Sequence, residues 1–329
     1  MQTPDRVRVI PLGTSAGRPT LSRAASALAI ATDGAWILCD CGEGAQLTAL
    51  RAGLSLSRLD AVLVTHLHGD HFNGLPGLLG TLGLEGRERP IVVVGPKGIA
   101  GVLEMLGKAG AIGTGNMPVK VIELSGPGAS ALDWPLGAAS MFHVVFHPLV
   151  HRVATFGYRV SLPDRPGSLD ADAAAAAGVP RGPLMAELKA GRSVELPSGK
   201  RIHPGGFVGP TRRGPVVAYV LDCVPCEGAV VLGRLADVLV HESTYEHARA
   251  ALAHERGHTT GVEAARIARD ARARTLLLTH FSPSVEPESV AEEARAEHQQ
   301  VIAAADLSPI EVGPVEVTPR GPAVTSSVG

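Results

Sequence analysis

The segment Thr65-His66-Leu67-His68-Gly69-Asp70-His71 places three imidazoles and a carboxylate within six residues, directly after the apolar run Ala61-Val62-Leu63-Val64. Such groups are costly to bury unpaired, and together they form a donor set suited to a borderline metal such as Zn²⁺. One tetrahedral ion cannot use all four from a single strand end. A sharp turn at Gly69 would let His66 and His68 face one ion while Asp70 and His71 face a second. Each ion is then short of ligands, which must come from other strand ends. Asp222 follows Val216–Leu221, His280 follows Thr275–Thr279, and His151 follows the apolar stretch Val144–Val150. In an alternating α/β fold such positions gather at the carboxyl edge of a sheet, where sites form. Asp222, with two oxygens, is the candidate to bridge the two ions.

The elements that must carry these residues follow from the apolar pattern. Short β-branched runs alternate with helical periodicity, which points to an α/β protein. Strands are expected at Val7–Ile10, Ser26–Ala31, Ala35–Cys39, Ala61–Thr65, Ile91–Val94, Val119–Glu123, His143–Phe146, Phe156–Leu162, Val216–Leu221, Asp237–Val240, Thr275–Thr279 and Ile310–Val317. Helices are expected at Ala45–Ala52, Gly74–Leu82, Ile99–Lys108, Pro183–Ala190, Thr260–Ala271 and Ser289–His298. From Asp164 to Arg213 the chain is rich in Pro and Gly, contains the alanine run Ala173–Ala177 and lacks a long apolar strand. Strand signals resume after it, so it reads as an insertion projecting from the body. Over Ala176–Arg213 seven cations, Arg181, Lys189, Arg192, Lys200, Arg201, Arg212 and Arg213, face only Glu187 and Glu195, a local charge of +5 in a chain whose formal net charge is -2.

Composition narrows the class. The chain has 329 residues, 45% of them hydrophobic and 19% charged, which excludes a disordered chain and permits a sizeable core. A near-neutral balance means that a nucleic-acid partner must be held by a local basic patch. Aromatic residues are only 3%, too few for a broad base-stacking platform, which disfavours a simple single-strand binding module. Asp5, Arg6 and Arg8 near the amino terminus are followed by no apolar stretch, so a signal peptide is not expected, and no run reaches the ~18 apolar residues of a membrane span. The expected location is the cytoplasm, with no membrane partner. Four cysteines, Cys39, Cys41, Cys223 and Cys226, do not make a disulfide scaffold, and Cys223-x-x-Cys226 lacks the second pair needed for four thiolate ligands.

His66-x-His68-x-Asp70-His71 resembles the signature of the metallo-β-lactamase superfamily, and flanking segments narrow the resemblance to the ribonuclease Z family, endonucleases that trim transfer-RNA 3′ ends. Leu12-Gly13-Thr14-Ser15-Ala16-Gly17-Arg18-Pro19, Asp40-Cys41-Gly42-Glu43-Gly44, Gly74-Leu75-Pro76-Gly77-Leu78-Leu79, Gly95-Pro96-Lys97-Gly98-Ile99 and Gly157-Tyr158-Arg159 are similar to that family. Gly178-Val179-Pro180-Arg181-Gly182-Pro183-Leu184, followed by Leu188-Lys189-Ala190-Gly191, resembles the Gly-Pro motif of its substrate-gripping arm. The similarity spans residues 7 to 317. It departs at Leu221-Asp222-Cys223, where Gly-Asp-Thr is common, and at Ser284-Val285, where an Arg-Tyr pair is frequent.

The resemblance implies an αββα sandwich in a single domain over 1–329, with an inserted flexible arm at 164–209. It implies two Zn²⁺ per chain, one on His66, His68 and His151, the other on Asp70, His71 and His280, with Asp222 bridging. His241-Glu242-Ser243-Thr244 and Gly257-His258-Thr259-Thr260 match the family's segments for proton transfer, so Glu242 and His258 are expected to be catalytic, together with Asp70, which orients the nucleophile. Arg181, Lys189 and Arg192 of the arm are expected to bind substrate. The implied activity is a zinc-dependent endoribonuclease that removes the 3′ trailer from precursor tRNA and leaves a 3′-hydroxyl, as a homodimer whose arms serve each other's substrate. Two alternatives stay open. One is a dinuclear-zinc phosphodiesterase or sulfatase for small esters, which would need no basic arm; the other is a zinc-stabilised RNA-binding subunit without catalysis, which would have lost Asp70 or His258.

Overall fold

The computed structural model describes residues 6–126, 128–132, 141–313 and the backbone of 315–316. They form two compact units. One comprises residues 6–162 with Pro215–Val312, the other Pro163–Gly214 with the described residues from Gly313 onward.

The larger unit contains two sheets of seven strands. In the first, β1 (Val7–Gly13), β2 (Ala27–Ala31) and β3 (Trp36–Cys39) run antiparallel, then β4 (Leu59–Leu63), β5 (Ile91–Pro96) and β6 (Val119–Leu124) continue parallel to β3, and β17 (Ile310–Val312) closes the far edge beside β1. The second sheet runs β7 (Ser130–Ala131), β8 (His143–Leu149), β9 (Thr155–Ser161), β13 (Val216–Val220), β14 (Val238–Glu242), β15 (Thr275–Thr279) and β16 (Val301–Ala303), antiparallel as far as β13 and parallel beyond. Strands β3, β4, β5, β14 and β15 are apolar nearly throughout because both of their faces are covered. The inward faces of both sheets share one core that includes Leu63, Val92, Val94, Tyr158, Tyr219 and Val240. On the outer face of the first sheet lie α1 (Ala45–Arg51), α2 (Gly69–Phe72), α3 (Leu75–Leu84) and α4 (Ile99–Lys108), packed through Ala49, Phe72, Leu78 and Leu103. The second sheet is covered by α7 (Glu227–Gly233), α9 (Gly261–Asp270) and α10 (Pro287–Ala294), through Leu232, Ala265, Ala268 and Val290. These layers are the αββα sandwich. All four cysteines are free, and Cys223 is buried in the outer core of the second sheet.

The smaller unit holds α5 (Ala171–Ala176), α6 (Pro183–Lys189), the hairpin β10 (Val194–Glu195) with β11 (Arg201–Ile202), and β12 (Arg212–Arg213) paired with β18 (Val315–Glu316). It has a core of its own from Ala174, Val179, Met185, Leu188, Val194, Leu196 and Ile202. In the larger unit, the amide of Leu162 donates to the carbonyl of Pro215 at 3.1 Å, so the chain leaves and re-enters at one point.

The expected strand Ile310–Val317 is two separate strands, β17 against β1 and β18 against β12; Val317 lies outside the described residues. Gly313-Pro314 interrupts the sequence there, and proline offers no N–H to a ladder. Helix α10 starts two residues before the expected Ser289 because Pro287 takes its first turn, a position where no N–H is needed. Helices α2, α5, α7 and α8 (Ala250–Glu255) are each seven residues or fewer, too short to repeat an apolar period.

Because the smaller unit rests on so few apolar side chains, Leu188→Ala should cost about 2–5 kcal/mol there. Limited proteolysis should then cut within 163–214 while the main thermal transition stays in place. A shift of the main transition with no new cleavage would mean that this core does not fold as a separate unit.

Candidate metal centre

The candidate residues sit where strands end. His66 and His68 follow β4, Asp70 and His71 lie in α2, His151 lies between β8 and β9, Asp222 follows β13, and His280 follows β15. Asp40, Asp222 and His280, each just past a strand, have φ of 56°, 45° and 57°. Left-handed backbone at a non-glycine residue costs on the order of 1 kcal/mol, and here it turns three side chains back over the sheet edge.

Three overlapping sets of donor atoms converge. His66, His68, His151 and Asp222 form one group, Asp70, His71 and His280 another, and Asp222, His258 and His280 a third, with the ligand atoms of each group within 4.8 Å of one another. Asp222 divides its oxygens between the first two. Its Oδ1 lies 3.2 Å from His71 Nε2 and 3.1 Å from His280 Nε2, while its Oδ2 lies 3.6 Å from His66 Nε2 and 3.9 Å from His151 Nε2. Asp70 Oδ2 lies 3.3 Å from His71 Nε2 and 3.6 Å from His280 Nε2, and it accepts the Gly17 amide at 2.7 Å.

The surroundings fix which nitrogen of each ring faces inward. His71 Nδ1 donates to Asp40 Oδ2 at 2.7 Å, His151 Nδ1 to the Gly257 carbonyl at 2.8 Å, His280 Nδ1 to Thr244 Oγ1 at 2.9 Å, and His66 Nδ1 to Thr65 Oγ1 at 3.0 Å. Four Nε2 atoms are thereby left as lone-pair donors pointing at the same space. His66 Nε2 faces His68 Nδ1 at 2.9 Å and His71 Nε2 faces His280 Nε2 at 3.3 Å, and the buried His151 Nε2 and Asp222 Oδ1 make no hydrogen bond. Lone pairs aimed at one another repel unless a cation lies among them, so these residues fit divalent metal ions. Burial alone would raise the pKa of Asp222, yet positive charge on His280, His71 and His66 holds it well below the carboxylate range, so a cation is needed among these groups, whether as protons on the rings or as bound metal.

Asp40, Thr65 and Thr244 did not emerge from spacing because they carry no ligand pattern, although Asp40 opens one of the family-like segments. Asp40 is fully buried and accepts from the Thr65 amide at 2.7 Å, from Thr65 Oγ1 and from Tyr219 Oη at 3.1 Å, besides His71. A carboxylate behind a ligating imidazole sets its tautomer and its basicity.

Glu242, at the end of β14, is buried and fully occupied. It accepts from the Cys223 amide at 2.6 Å, Thr244 Oγ1 at 2.6 Å, the Thr259 amide at 3.1 Å and His258 Nδ1 at 3.1 Å. The next helix is pinned by a capping box between Thr260 and Glu263, which fixes the chain that carries His258. Burial works against a charged His258, but the attraction and hydrogen bond of Glu242 outweigh it and push the pKa up to about 9. Its Nδ1 also lies 4.0 Å from Asp222 Oδ2, but that nitrogen is engaged by Glu242, which sets His258 apart from the inward-facing donors. The other nitrogen makes no hydrogen bond among the described residues, and the residue lines a cleft of about 420 Å³ with His68, Asp70, Asp222 and His280.

The residues expected on the arm lie in the smaller unit. Arg181 is paired with Asp172 at 3.0 Å and Arg192 forks onto Glu187, with Nη2 to Oε1 at 2.8 Å, while Lys189 is exposed. Histidines outside the cluster find other partners: His147 Nδ1 meets the Pro148 carbonyl and His254 pairs with Glu263.

Asp40→Asn keeps the volume but removes the acceptor that sets the His71 tautomer, so affinity for divalent metal should fall about 10–100-fold. Competition with a chelator, read as bound metal per chain, measures it. Unchanged affinity would mean that Asp40 serves only the fold.

A sequence profile of the metallo-beta-lactamase superfamily matches residues 22–151. The chain is 40% identical over 322 residues to Ribonuclease Z of Salinibacter ruber, covering 97% of this chain and 99% of that one. It is 41% identical to Ribonuclease Z of Acaryochloris marina, covering 84% and 87%. Among solved structures, human tRNase Z, short form, superposes with a TM-score of 0.65 at 27% identity, over 92% of this chain and 98% of that chain. With the αββα layers, the donor sets around Asp222 and similarity along nearly its whole length, the chain belongs to the ribonuclease Z family of the metallo-beta-lactamase superfamily.

Proposed function

We propose that the chain is a zinc-dependent endoribonuclease that removes the 3′ trailer from precursor tRNA and leaves a 3′-hydroxyl on the tRNA. The observation that carries this reading is the split of Asp222 between two donor sets beside the Glu242–His258 pair, in a chain so similar to proteins named Ribonuclease Z. His66, His68 and His151 would hold one Zn²⁺, Asp70, His71 and His280 the other, and Asp222 would bridge them. Ions bound there supply Lewis acidity, lowering the pKa of water and taking up charge on the phosphoryl oxygens. Asp70, steadied by the Gly17 amide, orients the attacking water in line with the scissile P–O bond. Phosphorus gains a bond to the water oxygen, whose proton passes to solvent, and loses its bond to the ribose 3′-oxygen, which departs as a poor leaving group and takes a proton from His258, itself reprotonated from solvent. Glu242 holds Nδ1 of that ring, so the proton leaves from the other nitrogen.

Residues 164–209 act in this reading as an inserted arm on a single metallo-β-lactamase-like domain, gripping the tRNA body. Because Arg181 and Arg192 are already paired with carboxylates, Lys189 is the most available of the three expected contacts. A homodimer sharing arms, working in the cytoplasm, completes the proposal; among the described residues no helix is long and apolar enough to cross a membrane.

Incubation with a precursor tRNA and mapping of the new end tests the reading directly, and a cut elsewhere than at the trailer junction would sink it. Elemental analysis should give about two zinc per chain, and prolonged chelation should abolish cleavage until zinc is restored. Asp222→Ala should lower both occupancies, and retention of two tightly held ions would remove the bridge.

His258→Ala should slow precursor tRNA cleavage roughly 10²–10⁴-fold, because the 3′-oxygen needs a proton. Bis-nitrophenyl phosphate, whose leaving group departs unaided, should suffer far less. A parallel fall of metal content and both activities would instead make His258 a support for the ligands.

Replacing Asp164–Gly209 with a short Gly-Ser loop should raise the precursor tRNA concentration needed for turnover much more than that of the small diester, and salt should have the same selectivity. Equal losses on both substrates would make the segment structural.

A further inference from the structure

The cleft above the donor atoms is rimmed by three arginines, Arg18, Arg152 and Arg256. All three are exposed, and none has a carboxylate within ion-pair distance among the described residues. Some arginines elsewhere meet acids, as Arg6 meets Glu311, Arg89 meets Asp60, Arg266 meets Glu297 and Arg295 meets Glu288, while others, such as the exposed Arg51, Arg249 and Arg272, form no ion pair among the described residues, so what distinguishes Arg18, Arg152 and Arg256 is their place at the cleft. Cations left unpaired around the one cleft that holds the reacting groups are available to phosphate.

Their placement is not symmetric. Arg152 directly follows His151, Arg256 directly precedes Gly257, and His151 Nδ1 donates to the Gly257 carbonyl at 2.8 Å, so these two arginines flank a single hydrogen bond. Both stand at the His258 edge. Arg256 is braced by donating from Nη1 to Tyr245 Oη at 3.1 Å, and the Tyr245 ring lies 6.2 Å from that of His258. Arg18 belongs to the other edge, since its neighbour Gly17 donates to Asp70. The stretch after His280 brings no cation of its own; its carbonyls at Ser282, Pro283 and Val285 accept from Arg23 instead.

Resting on the proposed reaction, in which His258 protonates the tRNA 3′-oxygen, this asymmetry gives the RNA a direction. We propose that Arg152 and Arg256 bind the phosphate immediately 5′ of the scissile one, on the tRNA side, and that Arg18 binds the first phosphate 3′ of it, within the trailer. Arg18 then reads trailer length: a one-nucleotide trailer ending in a hydroxyl has no second phosphate for it to hold.

The full-length protein is tested with two precursor tRNAs, one with a trailer of several nucleotides and one with a single-nucleotide trailer, and with a version of the first bearing a neutral methylphosphonate immediately 5′ of the scissile phosphate. Arg18→Ala should lower kcat/KM about 10–100-fold on the long trailer, as expected for one charge-assisted phosphate contact, and lose that effect on the single nucleotide. Arg152→Ala and Arg256→Ala should slow both natural substrates and add nothing once the 5′ phosphate is neutral. Bound metal and melting temperature should match the unsubstituted protein in all three variants. An Arg18→Ala defect of equal size on both trailers, or arginine effects that persist on the methylphosphonate, would overturn the assignment. If the unsubstituted protein does not cut at the trailer junction, the proposed function fails; if it does and the three variants cut equally well, only the phosphate assignment fails.

Discussion

A carboxylate removed from water must be surrounded by donors, and the position of Asp40 makes that requirement organise the centre. It directly follows β3 in the first sheet and takes hydrogen bonds from Thr65 at the start of the histidine segment, from His71 in α2 and from Tyr219 in β13 of the second sheet. One buried anion therefore ties three chain segments from both sheets at the edge where the ligands emerge. Tyr158 adds a second tie, its hydroxyl donating to the Val64 carbonyl at 2.6 Å. Loss of any partner would leave part of a buried charge unsatisfied, which is far more damaging than the loss of an exposed hydrogen bond.

The same logic runs outward from each ligand. An imidazole presents a lone pair on one nitrogen only when its proton is spent on the other, so every inward-facing ring needs a partner behind it. Four partners do this for His71, His66, His280 and His151: the carboxylate of Asp40, the hydroxyls of Thr65 and Thr244, and the backbone carbonyl of Gly257. Thr244 links two parts of the site, accepting from His280 Nδ1 while donating to Glu242, so the orientation of the His280 ring and that of the carboxylate holding His258 are set through a single hydroxyl. The left-handed turns at Asp40, Asp222 and His280 are strain retained because these networks over-determine the backbone there.

What could be read from the sequence follows from this physics. The six-residue histidine cluster and the three strand-end candidates were legible because each follows an apolar run, and the structure brings all seven side chains together. The long strands were legible for the same reason: β5 opens with Ile91-Val92-Val93-Val94, an unbroken β-branched run, because it is covered on both faces. Asp40, Thr65 and Thr244 were not, since a hydrogen bond between residues such as Asp40 and Tyr219, far apart in sequence, leaves no spacing signature. Short helices such as α5 and α7 lacked the length to show a period. The charge excess over 176–213 was legible as a sum but misleading as a map, because Arg181 and Arg192 spend their charge on Asp172 and Glu187 within the same unit.

That contrast bears on how a chain with a formal net charge of -2 engages a polyanion. Counting cations along a segment overestimates what is available, since a guanidinium that already forks onto a carboxylate must break that contact before it can hold a phosphate. Position and pairing decide instead. Arginines left without acids around the cleft, close to donor groups that call for metal ions, add positive charge where the scissile phosphate must lie. A substrate is thus selected by where its phosphates fall along the cleft, not by its total charge.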